Sequence, residues 1–439
     1  MHLDRTLAGG APASLTNGTG SKRTSHFSSL PVVATDEIFD LVRAFVTDPH
    51  ADKVNLGVGV YRTEDGAPWP LDVVQKVEKQ LHVLNDPARH EYLTIAGDPR
   101  FLELARDLAF GFQALGHSEW QEEQKSKIAS VQTVSGTGAN HMGALFLAHH
   151  LRPQRVWISD PTWNNHLTIW DLAGVPRRFY PYYRSSDHSF DFEGMIHTLE
   201  EQAQPNDVIV LHACAHNPTG LDPTQEQWKV IAEVCQRKHL FPFFDSAYQG
   251  FASGDPAEDA WAIRYFLRQK PTIEMCVAQS FSKNFGLYGQ RTGALHLVTS
   301  DASGQTKASA VANLAHLIRG EFSMAPRYGS TVVKTILESE QLTREWFNDL
   351  QIMSQRIKSI RRELFDALGR RETPGSWNHI VRQIGMFSYT GLTTAQVQYL
   401  QEKYHIYMLV SGRISISGLT HKNVAYVAKA IDDAVRSVI

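Results

Sequence analysis

The residue most suited to covalent chemistry is Lys283, which lies in the stretch SFSKNFG (280–286). A lysine amine forms Schiff bases with carbonyl groups, and desolvation or nearby cations lower its pKa enough to make it nucleophilic. Ser280 precedes this lysine and Arg291 follows it, so both are placed to hold the phosphate of a cofactor attached there. A lysine after a strand is more often simply solvated, and the covalent interpretation therefore depends on its surroundings.

A carboxylate and a phenol lie in a second motif, FFDSAYQG (243–250). Asp245 ends an apolar run, where a carboxylate is costly unless it is paired. It is suited to pairing with a protonated pyridine nitrogen, the arrangement that makes pyridoxal 5′-phosphate (PLP) an electron sink. The alternative is an aspartate that caps the next turn. Tyr248 then lies within reach of the ring hydroxyl of the same cofactor.

Three further stretches carry groups that suit such a cofactor. SGTGA (135–139) follows a predicted strand and opens a helix, where small residues and free N–H groups bind anions. A dinucleotide fingerprint fails because its third glycine is replaced by His141, and a plain turn is the alternative. Asn217 can donate to the ring oxygen or form an Asx turn before Pro218. Trp163 can stack on the ring or pack as a core aromatic.

Short apolar runs alternate with amphipathic stretches between about residues 70 and 320, which indicates βαβ units and a mostly parallel sheet. The predicted strands are Ile128–Val134, Arg155–Ser159, Val208–Cys214, Leu240–Phe244, Met275–Ser280 and Ala294–Val298, with helices at Thr224–Lys238 and Asp259–Leu267. The groups at or just past the carboxyl ends of these strands are Ser135, Trp163, Asn217, Asp245 and residues 280–283. Ligands bind at that edge of an open parallel sheet. We therefore expect one crevice to collect these side chains.

A second, smaller α/β unit is predicted from the rest of the chain. One face of a long helix is formed by Trp346, Leu350, Met353, Ile357, Ile360, Leu364 and Leu368, at spacings of three and four. Strand-like Met386–Tyr389, Ile406–Leu409 and Ile414–Ser417 and a helix at Thr394–Lys403 follow. The predicted organisation is a disordered tail (1–30), an N-terminal part of the small domain (31–69), a large domain (70–345), and a linking helix with the C-terminal small domain (346–439).

The composition argues against several classes of function. The 43 basic residues nearly balance the 46 acidic ones, for a net charge of −3, which disfavours nucleic acid or an anionic membrane as a partner. Apolar stretches such as Val208–Ala215 are too short to span a membrane. Three scattered cysteines, Cys214, Cys235 and Cys276, fit a reducing compartment such as the cytoplasm. For the Ser- and Gly-rich tail, a mitochondrial transit peptide is the alternative to disorder, and the matrix the alternative location.

No metal site is predicted from the two histidine motifs. HEYLT (90–94) begins like a zinc-binding helix but ends in threonine, so it lacks the second ligand. His149 and His150 are adjacent at the end of a predicted helix and therefore point to different faces.

From about Leu30 to its end, the chain resembles the aspartate aminotransferase family, whose members are fold-type-I PLP enzymes. The matching stretches occur in the family's order and together are highly specific. They are VNLGVGVYR (54–62), HEYL (90–93), SGTGA (135–139), DPTWNNH (160–166), HACAHNPTG (212–220), FFDSAYQGFASGD (243–255), SFSKNFGLYGQR (280–291), WNHIVRQIGMFSYTGL (377–392) and SGR (411–413).

For the cofactor, the resemblance implies that Lys283 carries PLP and that Asp245 pairs with the pyridine nitrogen. It also implies that Tyr248 and Asn217 contact the ring oxygen, and that Trp163 stacks on the ring. The implied phosphate ligands are Ser135, Gly136, Thr137, Ser280, Arg291 and, from a second subunit, Tyr92.

For the substrate, the resemblance implies that Arg413 clamps the α-carboxylate. Arg319 then crosses the interface of a homodimer to bind the side-chain carboxylate, so that the active sites are shared. Gly59, Trp163 and Asn217 line the substrate side. The expected reaction is a ping-pong transamination of L-aspartate with 2-oxoglutarate, which gives oxaloacetate and L-glutamate.

Departures from the family pattern leave the range of amino acids open. Gln290 stands where the family usually has glutamate, and FSMAP (322–326) where it usually has YSNPP. Trp69 and Thr94 also lie in variable stretches near the expected site. An aminotransferase for aromatic or other amino acids is therefore the first alternative. A binding protein that keeps the fold without turnover is the second, although the mechanism's chemical groups are intact.

Overall fold

The computed structural model describes residues 25–32, 35–84, 86–112 and 118–438. The α-helices of this part of the chain are α1 (Glu37–Thr47), α2 (Asp72–Leu84), α3 (Pro99–Phe110), α4 (Glu119–Lys127), α5 (Ser135–His150), α6 (Asn165–Leu172), α7 (Phe192–Gln202), α8 (Gln225–Arg237), α9 (Pro256–Asp259), α10 (Trp261–Leu267), α11 (Gln305–Glu321), α12 (Arg327–Glu338), α13 (Glu340–Arg370), α14 (His379–Arg382), α15 (Thr394–Tyr404) and α16 (Val424–Ser437). Its strands are β1 (Val54–Asn55), β2 (Ile128–Val134), β3 (Val156–Asp160), β4 (Arg177–Pro181), β5 (Tyr183–Arg184), β6 (Ser189–Phe190), β7 (Val208–His212), β8 (Phe241–Ser246), β9 (Met275–Ser280), β10 (Thr292–Val298), β11 (Phe387–Tyr389), β12 (Ile406–Tyr407) and β13 (Arg413–Ser415).

A seven-stranded sheet in the order β2-β10-β9-β8-β7-β3-β4 forms the centre of the fold. Neighbouring strands are parallel except around β10, which runs antiparallel to both β2 and β9. The prediction of a mostly parallel sheet is confirmed. The exception follows from the connection, because the residues between β9 and β10 contain no crossover helix, which a parallel neighbour would require.

The predicted elements recur in the structure with small shifts of their ends. The helix predicted at Thr224–Lys238 is α8, and its capping box joins Thr224 and Gln227. The helix predicted at Asp259–Leu267 is wrong at its start, because Ala260 breaks it into α9 and α10. The edge strand β4 was not predicted, since Arg177 and Arg178 interrupt the apolar pattern expected of a strand.

Segments from both ends of the chain pair in a smaller α/β arrangement. β1 pairs parallel with β12, and β11 pairs antiparallel with β13. The apolar face of the long helix α13 is buried as predicted, and α13 packs against α16. The fold class, with its smaller unit built from both chain ends, is thereby confirmed, while the boundaries 31–69, 70–345 and 346–439 remain predictions.

The hydrophobic core lies on both faces of the central sheet. β8 is buried along its whole length, with Phe243 on one side and Phe244 on the other. Helix α5 packs against β2, β9 and β10, so its first turn is fixed at the carboxyl edge of the sheet. No helix among the described residues is long and apolar enough to cross a membrane.

The described residues before Glu37 and those from Glu37 onward belong to two separate units. In the former, a turn is closed by hydrogen bonds from Ser28 N to Ser25 O and from Leu30 N to Phe27 O. The rest of the predicted tail, residues 1–24, lies outside the described residues.

Candidate functional site

A cavity of about 220 Å³ lies at the carboxyl edge of the central sheet. The predicted site residues that line it are Gly59, Ser135, Gly136, Thr137, Trp163, Asn217, Asp245, Tyr248, Ser280, Lys283 and Arg291. Ser282, which belongs to the predicted 280–283 group, also lines it, whereas sequence reasoning missed Asn140, His212, Ala247 and Tyr288. The single crevice expected from the strand ends is therefore present.

Lys283 extends into this cavity from the loop after β9. Its Nζ lies 5.3 Å from the centre of the Tyr248 ring. Burial lowers the pKa of the Lys283 amine, and Arg291 and Arg413 lower it further, against the opposing effect of Asp245. The amine is thus more readily deprotonated, and more nucleophilic, than a solvated lysine.

Asp245 lies inside β8, one residue before its end and not just past it as predicted, and is 8 % exposed. Its Oδ2 is 3.0 Å from Nε2 of His166, whose Nδ1 is 3.0 Å from Oγ1 of Thr162. Burial alone would raise the pKa of Asp245, but His166, His212 and Lys283 together hold it below its ordinary value. The carboxylate is therefore kept ionised although it is buried.

His166 was missed by the sequence reasoning as a functional residue. It closes the DPTWNNH stretch, and α6 carries it to Asp245. Its ring also lies edge-on to Trp163, with 5.1 Å between ring centres. A signal was available in the sequence, because a polar residue three positions after an aromatic lies on the same side of a helix turn.

The first turn of α5 forms a cradle suited to an anion. Ser135 has a positive φ of 65° and donates its N–H to Arg291 O at 3.0 Å. A Cβ on Gly136 would lie 2.7 Å from Cβ of Ser280, so only glycine fits there. The hydroxyls of Ser135 and Ser282 are 3.1 Å apart. Backbone N–H groups, hydroxyls and the guanidinium of Arg291 together match the chemistry of a bound phosphate.

The opposite side of the cavity is organised around Arg413 on β13. Arg413 donates to Asn217 Oδ1 at 3.4 Å and to Gly57 O at 2.5 Å. Its guanidinium carbon lies 4.3 Å from the centre of the Phe387 ring. That ring also confines Gly59, where a Cβ would lie 2.7 Å from Phe387 Cζ. Arg413 is thus held beside the cavity although it does not line it.

Two predicted site residues, Tyr92 and Arg319, are not brought into the cavity within this chain. Tyr92 is 85 % exposed. Arg319 is exposed near the end of α11 and donates to Ser323 Oγ at 2.6 Å. Both positions are compatible with the expected role in a second subunit's site, which remains a prediction.

The two histidine motifs, for which no metal site was predicted, lie at the surface. His149 and His150 end α5 with ring centres 6.4 Å apart and ring planes tilted by 71°. Among the described residues, no group of three or more histidine, cysteine or acidic side chains is arranged to hold a metal ion.

Comparison with known proteins identifies the family. The model for "Aminotransferase class I and II" matches residues 51–431. The chain is 57% identical to an L-tyrosine:2-oxoglutarate aminotransferase of Aspergillus ustus, over 93% of this chain and 78% of that protein.

Two solved structures are similar to the structure of this protein along nearly the whole chain. The aspartate aminotransferase from the cytoplasm of Saccharomyces cerevisiae has a TM-score of 0.90 at 40% identity, covering 94% of this chain and 99% of that one. An aromatic-amino-acid aminotransferase from Burkholderia pseudomallei, covalently bound to pyridoxal phosphate, has a TM-score of 0.88 at 37% identity, covering 94% and 100%. This chain belongs to the aminotransferase class I and II family.

Proposed function

We propose that this chain is a PLP-dependent aminotransferase that converts L-aspartate and 2-oxoglutarate to oxaloacetate and L-glutamate. The observation that carries the proposal is the placement of Lys283 between an anion cradle and the Arg413 side of one cavity. The likeness to the Saccharomyces cerevisiae aspartate aminotransferase supports the choice of substrate.

The residues of the cavity fit PLP. Its phosphate would lie in the cradle of Ser135, Gly136, Thr137, Ser280 and Arg291, where the close approach to Gly136 leaves no space for a side chain. Trp163 would stack on the ring, Asp245 would pair with its nitrogen, and Tyr248 and Asn217 would contact its oxygen. When bound, PLP supplies the electron sink that delocalises the negative charge developing on the substrate α-carbon.

The protein's own groups then control charge and protons. Asp245, which His166 helps to keep ionised, would stabilise a proton on the ring nitrogen of the cofactor. Nζ of Lys283 would accept the proton of the substrate α-carbon, and its lowered pKa favours the free amine that this step needs. The planar guanidinium of Arg413 binds the α-carboxylate through paired hydrogen bonds and so orients the α-carbon toward Lys283.

The distal carboxylate of aspartate would be bound by Arg319 of a second copy of the chain, and Tyr92 of that copy would contact the phosphate. A homodimer with shared sites can be tested by mixing Lys283→Ala and Arg319→Ala chains during refolding. Hybrids should form about half of all dimers with one intact site each, so activity should recover to roughly a quarter of wild type. If confirmed hybrids regain no activity, the sites are not shared.

An aromatic amino acid is the second candidate substrate, and the observation that favours it is the 57% identity to a tyrosine aminotransferase. The discriminating experiment measures kcat/KM for a panel of amino acids with 2-oxoglutarate as the acceptor. Aspartate should be preferred over tyrosine and phenylalanine, and the reverse order would replace the aspartate assignment. A preparation that stays colourless with PLP and turns over no amino acid would favour the binding-protein alternative.

The proposed location is the cytoplasm, with the mitochondrial matrix as the alternative. The similar aspartate aminotransferase of Saccharomyces cerevisiae is a cytoplasmic protein. A fusion of the full chain to a fluorescent protein should give a diffuse cytoplasmic signal, whereas a mitochondrial signal lost on removal of residues 1–24 would assign a transit peptide to that segment.

A further inference from the structure

Arg361, in the long helix α13, is a buried cation, and no carboxylate within the described part of the chain forms an ion pair with it. Its side chain is 3 % exposed. Burial lowers the pKa of Arg361 to about 9, and no carboxylate offsets this effect. The guanidinium is still protonated at neutral pH, and a buried charge is costly unless its hydrogen bonds are well satisfied. The presence of this charged side chain in the core therefore requires a structural explanation.

The partners of Arg361 are main-chain carbonyls of one short segment, residues 380–387. Its Nη1 donates to Ile380 O at 3.0 Å, and its Nη2 donates to Gly385 O at 2.9 Å and also to Phe387 O. A planar guanidinium can hold these three carbonyls in a fixed mutual arrangement, which an ammonium group cannot do. Arg361 thus fixes the main chain that leads into β11.

The same segment also packs closely against the turn that follows Asn217. Ile384 N donates to Gly220 O at 2.7 Å. A Cβ on Gly220 would lie 2.8 Å from Phe387 O. The position of Phe387 is therefore set by Arg361 on one side and by the Asn217 turn on the other.

The position of Phe387 in turn affects the position of Arg413, which lies on the neighbouring strand. β11 and β13 pair with Phe387 opposite Ser415 and with Tyr389 opposite Arg413. The Phe387 ring lies under the Arg413 guanidinium at 4.3 Å, and Arg413 donates to Asn217. A shift of the 380–387 segment would therefore move both the ring beneath Arg413 and the strand beside it.

We propose that Arg361 is a positioning residue for the substrate's α-carboxylate, because it fixes the 380–387 segment and thereby the guanidinium of Arg413. The inference rests on the proposed aminotransferase function. Arg361 does not line the cavity itself and acts through Phe387 and Arg413.

A second cavity, of about 340 Å³, is lined in part by Arg361. Its lining includes Ile357, Lys358, Arg361, Arg362 and Ile384. Truncation of Arg361 would enlarge this space and leave three carbonyls without their donor. A free guanidinium ion has the shape and the hydrogen-bond donors to replace the lost group, and the cavity provides a path for it.

The experiment compares holoenzyme carrying Arg361→Ala, Arg361→Lys or, as the matched control, Arg362→Ala. Arg362 is the neighbouring arginine, is exposed, and lines the same second cavity. Arg361→Ala should raise KM for amino acids on the order of tenfold and change kcat little, since uniform binding of the α-carboxylate is weakened. The factor should be the same for aspartate and phenylalanine, which share that carboxylate. Cofactor absorbance should be unchanged.

Millimolar guanidinium chloride should lower the KM of Arg361→Ala toward that of wild type, while equal sodium chloride should not. Arg361→Lys should show a smaller rise in KM without rescue, and Arg362→Ala should behave as wild type. Unchanged KM in folded Arg361→Ala, or an equal rise in Arg362→Ala, overturns the inference. If Arg361→Ala does not fold, unchanged KM in Arg361→Lys overturns it. An inactive wild-type holoenzyme would instead reject the proposed function, and the inference with it.

Discussion

The two sides of the cavity are assembled from very different parts of the chain. The cofactor side draws on residues from Ser135 to Arg291, which belong to one sheet, to the loops that leave it or to the start of α5, which packs on it. The substrate side depends on Phe387 and Arg413 together with the stretch around Gly59, hundreds of residues earlier in the chain. The first side is held by the hydrogen bonds of a continuous sheet, and the second by the packing of distant segments.

This difference indicates where substitutions should act. On the cofactor side, a change should alter the chemistry of one group and leave its neighbours in place. On the substrate side, a change remote from the ligand should alter affinity, because the two-stranded sheet that carries Arg413 is short. The predictions below test this contrast, in order of decreasing effect.

Lys283→Ala should have the largest effect, since it removes both the attachment point and the proton carrier of the cofactor side. General acid–base catalysis alone contributes about 10²- to 10⁴-fold, so we expect kcat/KM to fall by at least roughly 10⁴-fold. Borohydride reduction of wild type should place a pyridoxyl group on Lys283, seen by peptide mapping. An adduct confined to another lysine would contradict the assignment, and Lys283→Arg serves as the charge-preserving control.

Arg319→Ala should reduce activity selectively on the substrate side. Losing a desolvated charge pair costs about 2–5 kcal/mol, so kcat/KM for aspartate should fall by tens- to thousands-fold. Turnover of phenylalanine, which has no distal carboxylate, should change little. Equal losses for the two substrates would mean that Arg319 has a structural role.

His166→Ala should test whether the cofactor side depends on the charge of Asp245. A hydrogen bond to a charged group contributes about 1.5–3 kcal/mol, so kcat/KM should fall roughly 10- to 100-fold. His166 helps to hold the pKa of Asp245 below its ordinary value, so its removal should raise that pKa. Activity needs the ionised form, which is lost as pH falls through the pKa. The acid limb of the kcat/KM profile should therefore move to higher pH, and an unmoved limb would remove Asp245 from that step.

Phe387→Leu should give the smallest effect, confined to the substrate side. A cation–π contact contributes about 0.5–2 kcal/mol, so KM should rise roughly 2- to 30-fold while cofactor absorbance stays the same. Phe365→Leu is a matched control, because the guanidinium carbon of Arg362 lies 5.5 Å from the centre of the Phe365 ring. Phe365 is not among the residues that line the first cavity. If both variants lose activity equally, the ring beneath Arg413 has no special part in binding.

Sequence patterns predicted the cofactor side better than the substrate side for the same reason. Ser135, Asn217, Asp245 and Lys283 each follow or end an apolar run, and the geometry of a sheet then brings such ends together. No local pattern brings residue 59 to residue 387. Gly59 was identified only through resemblance to a family, and Phe387 was not predicted as a site residue. The pairing of β1 with β12 is a tertiary property of the whole chain.

Other features escaped prediction because their signal resembles that of ordinary surface residues. The two arginines at the start of β4 obscure an edge strand. Arg361 was not singled out from the sequence, although it lies four residues after Ile357 and three before Leu364, on the buried face of α13. A charged residue on an apolar stripe is the sequence signal that would have identified it.

The pairing of β1 with β12 also has a consequence for synthesis on the ribosome. The strands of the central sheet, and the cradle and lysine beside them, are complete once Val298 has emerged. β12, which pairs with β1, and β13, whose Arg413 donates to Gly57 O, are among the last segments to be translated. At about 5–20 residues per second, they follow on the order of ten seconds later. The nascent chain can therefore form a place for the cofactor before it has one for the amino acid.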